Sequence, residues 1–152
     1  MVTRTESVSA AAPAPRYFYA ESGEHPLLTL TMEPAGGLLH LLWSGDTDAA
    51  TVKHGAGSIL DAVRDWHPSL ILNDGGQGAG DWQDLVPWLA FELAPQIAAG
   101  GVRAAAFLPP ASAAGQLAMH TLTGEAPAGV LPLRLFATER EARAWLAQFV
   151  TA

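Results

Sequence analysis

The sequence contains no cysteine. This absence excludes disulfide bonds, a thiol nucleophile and thiolate metal ligands. Basic residues are also scarce, since eight Lys and Arg stand against 15 Asp and Glu, for a formal net charge of −7. A surface of that sign repels nucleic-acid phosphates and anionic lipids, so we expect neither as a partner.

Long apolar runs are missing too. Roughly 18 to 20 uninterrupted apolar residues are needed to span a bilayer, and the longest run, residues 85–102, contains Glu92, two prolines and two glycines. The first residues lack the apolar centre of a signal peptide, which predicts a cytoplasmic protein without membrane insertion. Residues 1–15 are small and polar and predict a disordered tail, followed by one domain over residues 16–152.

The order of apolar segments predicts an α/β fold. Residues 27–32 and 38–43 flank turn residues and predict an antiparallel hairpin, with residues 16–20 as a candidate edge strand. Strands at 70–72, 102–108 and 131–136 then alternate with helices at 45–66, 81–99 and 112–122. Ser112 is predicted to cap the third of these helices, and a last helix begins after the N-cap Thr138. A hairpin followed by βα units implies a mixed sheet with packed helices.

The stretch from residue 73 to 80, NDGGQGAG, predicts a glycine-rich loop before a helix. Such a loop can bind an anion through free N–H groups. It is not a P-loop, because Asp81 and Trp82 replace the Lys and Ser/Thr of that motif. Asp74 and Asp81 would also repel a phosphate, so a flexible connection is the favoured interpretation.

No catalytic, metal or cofactor motif emerges. The five histidines show no ligand spacing and are interpreted as surface or core residues: His25, His40, His54, His67 and His120. Neither Ser58 nor Ser112 lies in a G-x-S-x-G motif. We therefore predict a protein that is not an enzyme, with no catalytic residue, metal or cofactor.

The helix over residues 81–99 is apolar on nearly all sides. Its main apolar stripe consists of Trp82, Leu85, Val86, Leu89 and Leu93. A second stripe of Trp88, Phe91 and Pro95 must either be covered or remain as an exposed apolar surface that favours association. Two interpretations stay open. One is a homodimer or protein-partner interface, and the other is coverage by the aromatic N-terminal segment around Phe18 or by a neighbouring helix. Pro87 and Pro95 should kink or divide the helix.

Several of these segments together resemble the small SpoIIAA-like proteins related to STAS (sulfate transporter and anti-sigma-factor antagonist) domains. The matching residues are 43–45, 72–74, 99–103, 136, 141–142 and 145–146. The resemblance implies a single STAS-like domain acting as a non-catalytic regulatory or protein-interaction module. Because the group is also likened to CRAL-TRIO lipid carriers, the alternative is a carrier or sensor of a small apolar or lipid-like ligand.

One departure from that family concerns regulation. Its phosphoregulated members carry Asp followed by Ser or Thr after the third strand, whereas Asp74 is followed here by Gly75. We therefore expect this phosphorylation site to be absent. Ligands of α/β sheets bind where the loops leave the parallel strands, which predicts a site at Ser44, Gly45, Asp74, Gly75, Gly76, Pro109 and Ser112.

Overall fold

The computed structural model describes residues 11–19, 23–127 and 129–150. Their strands form one six-stranded sheet in chain order: β1 (Arg16–Tyr19), β2 (Pro26–Glu33), β3 (Leu38–Gly45), β4 (Leu70–Gly78), β5 (Ala104–Leu108) and β6 (Leu133–Leu135). The first three strands are antiparallel and the last four run parallel. The predicted α/β class and mixed sheet are confirmed, while residues 1–10 of the predicted tail lie outside the described residues.

Four helices of the described residues pack on this sheet: α1 (Ala49–Trp66), α2 (residues 83–99), α3 (Ala113–Glu125) and α4 (Glu139–Ala147). Polar side chains cap three of them. Asp48 accepts from the Thr51 N–H, Ser112 from the Gly115 N–H and Thr138 from the Glu141 N–H. The caps predicted at Ser112 and Thr138 are therefore confirmed.

The two faces of the sheet are covered unequally. The larger cluster of buried side chains, here called the main core, joins strands β2 to β5 with α1, α2 and α3. A smaller cluster joins β3, β4 and β5 with Ala142 and Leu146 of α4 on the opposite face. Right-handed crossovers between strands that lie in chain order place every crossover helix on the same side. Helix α2 packs between α1 and α3.

Helix α2 is not a regular α-helix. It passes through a 3₁₀ turn (Gln83–Leu85), an α turn (Val86–Trp88), a π turn (Leu89–Leu93) and a final α segment (Ala94–Ala99). The Ala94 N–H donates to the Leu89 carbonyl five residues earlier. Because Pro95 has no N–H, it cannot extend an i to i−4 ladder. The predicted division of this helix at its prolines is confirmed.

The prediction of a loop over residues 73–80 is wrong for most of its length. Strand β4 continues to Gly78, with Asp74 opposite Leu42 of β3 and opposite Leu108 of β5. The glycines serve close approach within a strand. A Cβ added to Gly75 would lie 2.5 Å from the Pro110 nitrogen.

An ion-pair network fastens α4 to the hairpin. The Arg143 guanidinium donates to both carboxylate oxygens of Glu33, at 3.0 and 2.8 Å, and to Glu139 at 2.7 Å. The hydrogen bonds from Arg143 lower the pKa of Glu33 below its ordinary value, and those to Glu33 and Glu139 raise the pKa of Arg143. The Glu33 and Arg143 side chains are each 39% exposed, so solvent weakens the pair.

Removing the Glu33 charge tests this network. We expect Glu33→Gln to lower the free energy of unfolding at pH 7 by up to about 1 kcal/mol, the range of partly exposed pairs. A carboxyl whose folded pKa is lowered stabilises above its unfolded pKa, and that stabilisation is lost as the pH falls through the folded pKa. The deficit should therefore shrink between pH 7 and pH 3 in urea denaturation.

The matched control is Glu92→Gln, because Glu92 is exposed and forms no ion pair with any described residue. It should change stability less than Glu33→Gln at pH 7. A Glu33→Gln deficit of the same size at both pH values would contradict this account of the network.

Candidate functional site

An apolar cavity lies between the sheet and helices α1, α2 and α3. Its volume, counted as the space open to the centre of a water molecule, is about 90 Å³. It follows the central strand β4, whose helix-facing residues Ile71, Asn73 and Gly75 all line it, and it is flanked by Trp43 of β3 and Ala105 of β5. The cavity thus runs along the middle of the sheet.

The cavity exists because short side chains meet beneath an irregular helix. Ala56 of α1, Ala94 of α2 and Ala105 of β5 all line it. The π turn of α2 contributes Leu89 and Leu93 to the same wall. A π turn changes the helical register, and such turns are frequent at functional sites.

Few polar groups line this cavity, and no charged residue does so among the described residues. Asn73 accepts a hydrogen bond from the Trp43 indole, with 2.9 Å between Nε1 and Oδ1. Thr47 is only 3% exposed, and its hydroxyl oxygen accepts from the Gly80 N–H at 3.2 Å. The interior therefore suits an uncharged and mainly apolar occupant.

Three N–H groups at and after the end of β4 are already bonded. The Gly76 N–H donates to Asp74 Oδ1 at 2.8 Å, the Ala79 N–H to the Gly45 carbonyl at 2.9 Å, and the Gly80 N–H to Thr47. An anion would have to displace these internal acceptors. The geometry therefore does not form the anion cradle considered from the sequence.

Of the predicted ligand-site residues, Gly75 lines the cavity. The others lie around the carboxyl ends of the strands with different tasks. Ser44 donates to the Pro26 carbonyl, Gly45 ends β3 with φ of 79°, Pro109 is exposed, and Ser112 caps α3. The Asp74 carboxylate accepts a hydrogen bond from the Gly76 N–H. Sequence reasoning missed Thr47, Asn73 and Pro110, of which only Asn73 had a signal, its alternation with Ile71 along β4.

Gly75, the position where we expect no phosphorylation site, has no space for a side chain. Gly75 is buried, and a Cβ there would meet the Pro110 nitrogen at 2.5 Å and the Leu108 carbonyl oxygen at 2.9 Å. A serine hydroxyl has no room at this point. Introducing one would displace the turn after β5 before any kinase could reach it.

The predicted interface stripe on α2 is only partly exposed. Trp88 is half-buried against the main core, with the Lys53 ammonium 5.3 Å from its ring centroid, and Pro95 is also half-buried. Phe91 is 54% exposed. Phe18 packs against the main core from β1, and Arg16 of that strand pairs with Asp65 at the end of α1 at 2.9 Å, so β1 is anchored beside α1.

A cluster of polar side chains lies on the face of the sheet that α4 covers. His40, Asp74 and Glu139 come from three elements, and their ligand-type atoms lie within 4.8 Å of one another. These three residues could hold a cation, although no ligand spacing in the sequence indicated it. His40 Nε2 is buried without a hydrogen-bond partner among the described residues and lies 3.9 Å from Asp74 Oδ2. Arg143 already bonds Glu139, so it supplies the positive charge that a cation would bring.

Searches against protein-family models, curated proteins and solved structures found no significant match to this chain. Among the described residues, no helix combines the length and the apolar character needed to cross a membrane.

Proposed function

We propose that this chain is a non-catalytic binding protein that takes up a small apolar ligand in the cavity along β4. The observation that carries the proposal is an uncharged, almost wholly apolar cavity at the centre of the main core. Protein interiors are normally close-packed, with few voids larger than a water molecule. Apolar cavities with a few placed polar groups are the usual form of a small-molecule site.

The cavity sets the size of the ligand. An apolar cavity of about 150 Å³ holds benzene, with six heavy atoms. In proportion, the cavity of about 90 Å³ accommodates about four heavy atoms. A longer, lipid-like molecule would require a wall to move, and helix α2 with its π turn is the irregular wall.

We also propose that the domain is STAS-like and serves a regulatory role, with ligand binding as the sensed signal. The order of a hairpin followed by βα units supports this proposal, as do the residues that resemble the SpoIIAA-like group. Regulation by phosphate at the position of Gly75 is not part of the proposal, because that position is a buried glycine. A cytoplasmic location belongs to the same proposal.

Binding of a small hydrocarbon tests the ligand proposal. We expect 2-methylbut-1-ene, with five heavy atoms, to bind with a dissociation constant of about 1 mM, as small apolar ligands do. The methyl resonances of Ile71, Leu89 and Leu93 should shift on titration, because these side chains line the cavity. Methyl-selective NMR of the labelled protein provides the measurement.

A filling substitution supplies the control. Ala105→Ile adds three carbon atoms inside the cavity and should weaken binding by at least about tenfold, since those atoms occupy most of the space for about four. Ala50→Ile makes the same change on the exposed side of α1 and should leave binding unchanged. Undiminished binding by Ala105→Ile, or no shift of any lining methyl in the parent, would refute the ligand proposal.

A protein-interaction role is the second proposal, favoured by the exposed aromatic ring of Phe91. It is 54% exposed on α2, beside the half-buried Trp88 and Pro95. A phenylalanine side chain gains roughly 1.5 to 3 kcal/mol when it is fully buried. A symmetric homodimer would bury it twice across a two-fold axis.

Phe91→Glu tests the dimer. In light scattering we expect the parent to have the mass of a dimer and Phe91→Glu to have the mass of a monomer. Leu117→Glu is the control, because Leu117 is 62% exposed on the neighbouring helix α3 and lies outside the proposed stripe. A monomeric parent, or equal dissociation by both variants, would remove Phe91 as the dimer contact.

A further inference from the structure

We infer that the ligand carries a neutral hydrogen-bond acceptor, such as a carbonyl group, and that the side-chain amide of Asn73 recognises it. This inference rests on the proposed function and specifies the ligand class for the same cavity. It depends on the direction of the Asn73 amide, on the lack of a partner for its N–H groups and on the absence of charge in the lining.

The Trp43 indole fixes the direction of the amide. An indole N–H can only donate a hydrogen bond. Its bond of 2.9 Å to Asn73 therefore requires an acceptor on Asn73, which is the amide oxygen Oδ1. The amide NH₂ group of Asn73 consequently points away from Trp43 and presents two donors.

Those donors have no protein acceptor. Asn73 Nδ2 forms no hydrogen bond with any residue that the structure describes. On the same face of β4, Ile71 and Gly75 are buried, whereas Asn73 between them is partly exposed. Because β3 and β5 lie on both sides of β4, the uncovered surface of Asn73 lies towards the cavity that it lines. These donors are therefore open to an acceptor that enters the cavity.

Thr47 also presents a hydrogen-bond donor in the lining of the cavity. Its hydroxyl oxygen already accepts from the Gly80 N–H, and its hydroxyl proton has no acceptor among the described residues. The side-chain acceptors of the lining are thus engaged, with Oδ1 of Asn73 bonded to Trp43 and Oγ1 of Thr47 bonded to Gly80. Each of these oxygens has a partner, whereas the Asn73 N–H groups and the Thr47 hydroxyl proton have none among the described residues.

The absence of charged residues from the lining narrows the class of ligand further. No charged side chain lines the cavity in the described part of the chain, so a carboxylate would be buried without a counter-ion, at a large cost. A neutral ketone, aldehyde or ester of about four to five heavy atoms satisfies both the donors and the volume. A protonated amine, which has no lone pair, or a simple alkane would leave the Asn73 donors unpaired.

The test compares butanone with 2-methylbut-1-ene, which replaces the carbonyl oxygen by a CH₂ group in the same shape. The quantity measured is the ratio of their affinities for each variant, since it cancels changes in cavity volume. One neutral hydrogen bond corresponds to about 3- to 10-fold in affinity. We expect Asn73→Leu to reduce the butanone preference by that factor. The exposed substitution Gln96→Leu should leave the ratio unchanged.

A second variant and a second measurement guard against misfolding. Asn73→Asp keeps an oxygen to accept from Trp43 but removes both donors, so it should also lower the butanone preference. In the parent protein, the Asn73 side-chain ¹H–¹⁵N resonances should shift with butanone and not with the alkene.

The outcomes are distinguishable. If the alkene binds but neither Asn73 variant changes the ratio, or if the Asn73 resonances ignore butanone, the acceptor inference is overturned while the proposed function stands. If neither probe binds the parent protein, the proposed function fails and the inference fails with it.

Discussion

The dominant constraint on this fold is that its strands lie in the sheet in chain order. Right-handed crossovers then place α1, α2 and α3 together on one face, where α2 must cover the central strand β4. Helix α2 cannot do so as a regular helix, because Pro95 interrupts its hydrogen-bond ladder and a π turn precedes it. Alanines at residues 56, 94 and 105 do not fill the remaining space, and the cavity is the result.

The opposite face shows what the same sheet looks like when it is filled. There, alternate residues of β4 and β5 pack against α4, and the alanines Ala104, Ala106 and Ala142 are fully buried. Arg143 fastens this helix to Glu33 of the hairpin. The cavity is thus confined to the crossover-helix face, which also carries Asn73, the partly exposed polar residue of β4 on that side. A polar side chain and free volume meet at Asn73, which is why we propose ligand recognition there.

Much of the fold could be predicted from local sequence signals, whereas features that depend on contacts between distant residues could not. The hairpin, the caps at Ser112 and Thr138 and the division of α2 follow from turn residues, hydroxyls and prolines acting on their own neighbours. The glycines from residue 75 onwards wrongly predicted a loop. A glycine is needed at position 75 because Pro110, more than thirty residues away, approaches the strand there, and no sequence pattern indicates that contact. Of the residues predicted at the carboxyl ends of the strands, Gly75 lines the cavity, whereas Thr47 and Pro110 enter it only through that same long-range packing.

Crystals of the protein under xenon pressure test the central claim most directly, because xenon enters apolar cavities and needs no hydrogen bond. We predict xenon density between β4 and α2, in contact with Ile71, Leu93 and Ala105. A structure in which these side chains touch one another and no xenon binds between sheet and helices would contradict the account.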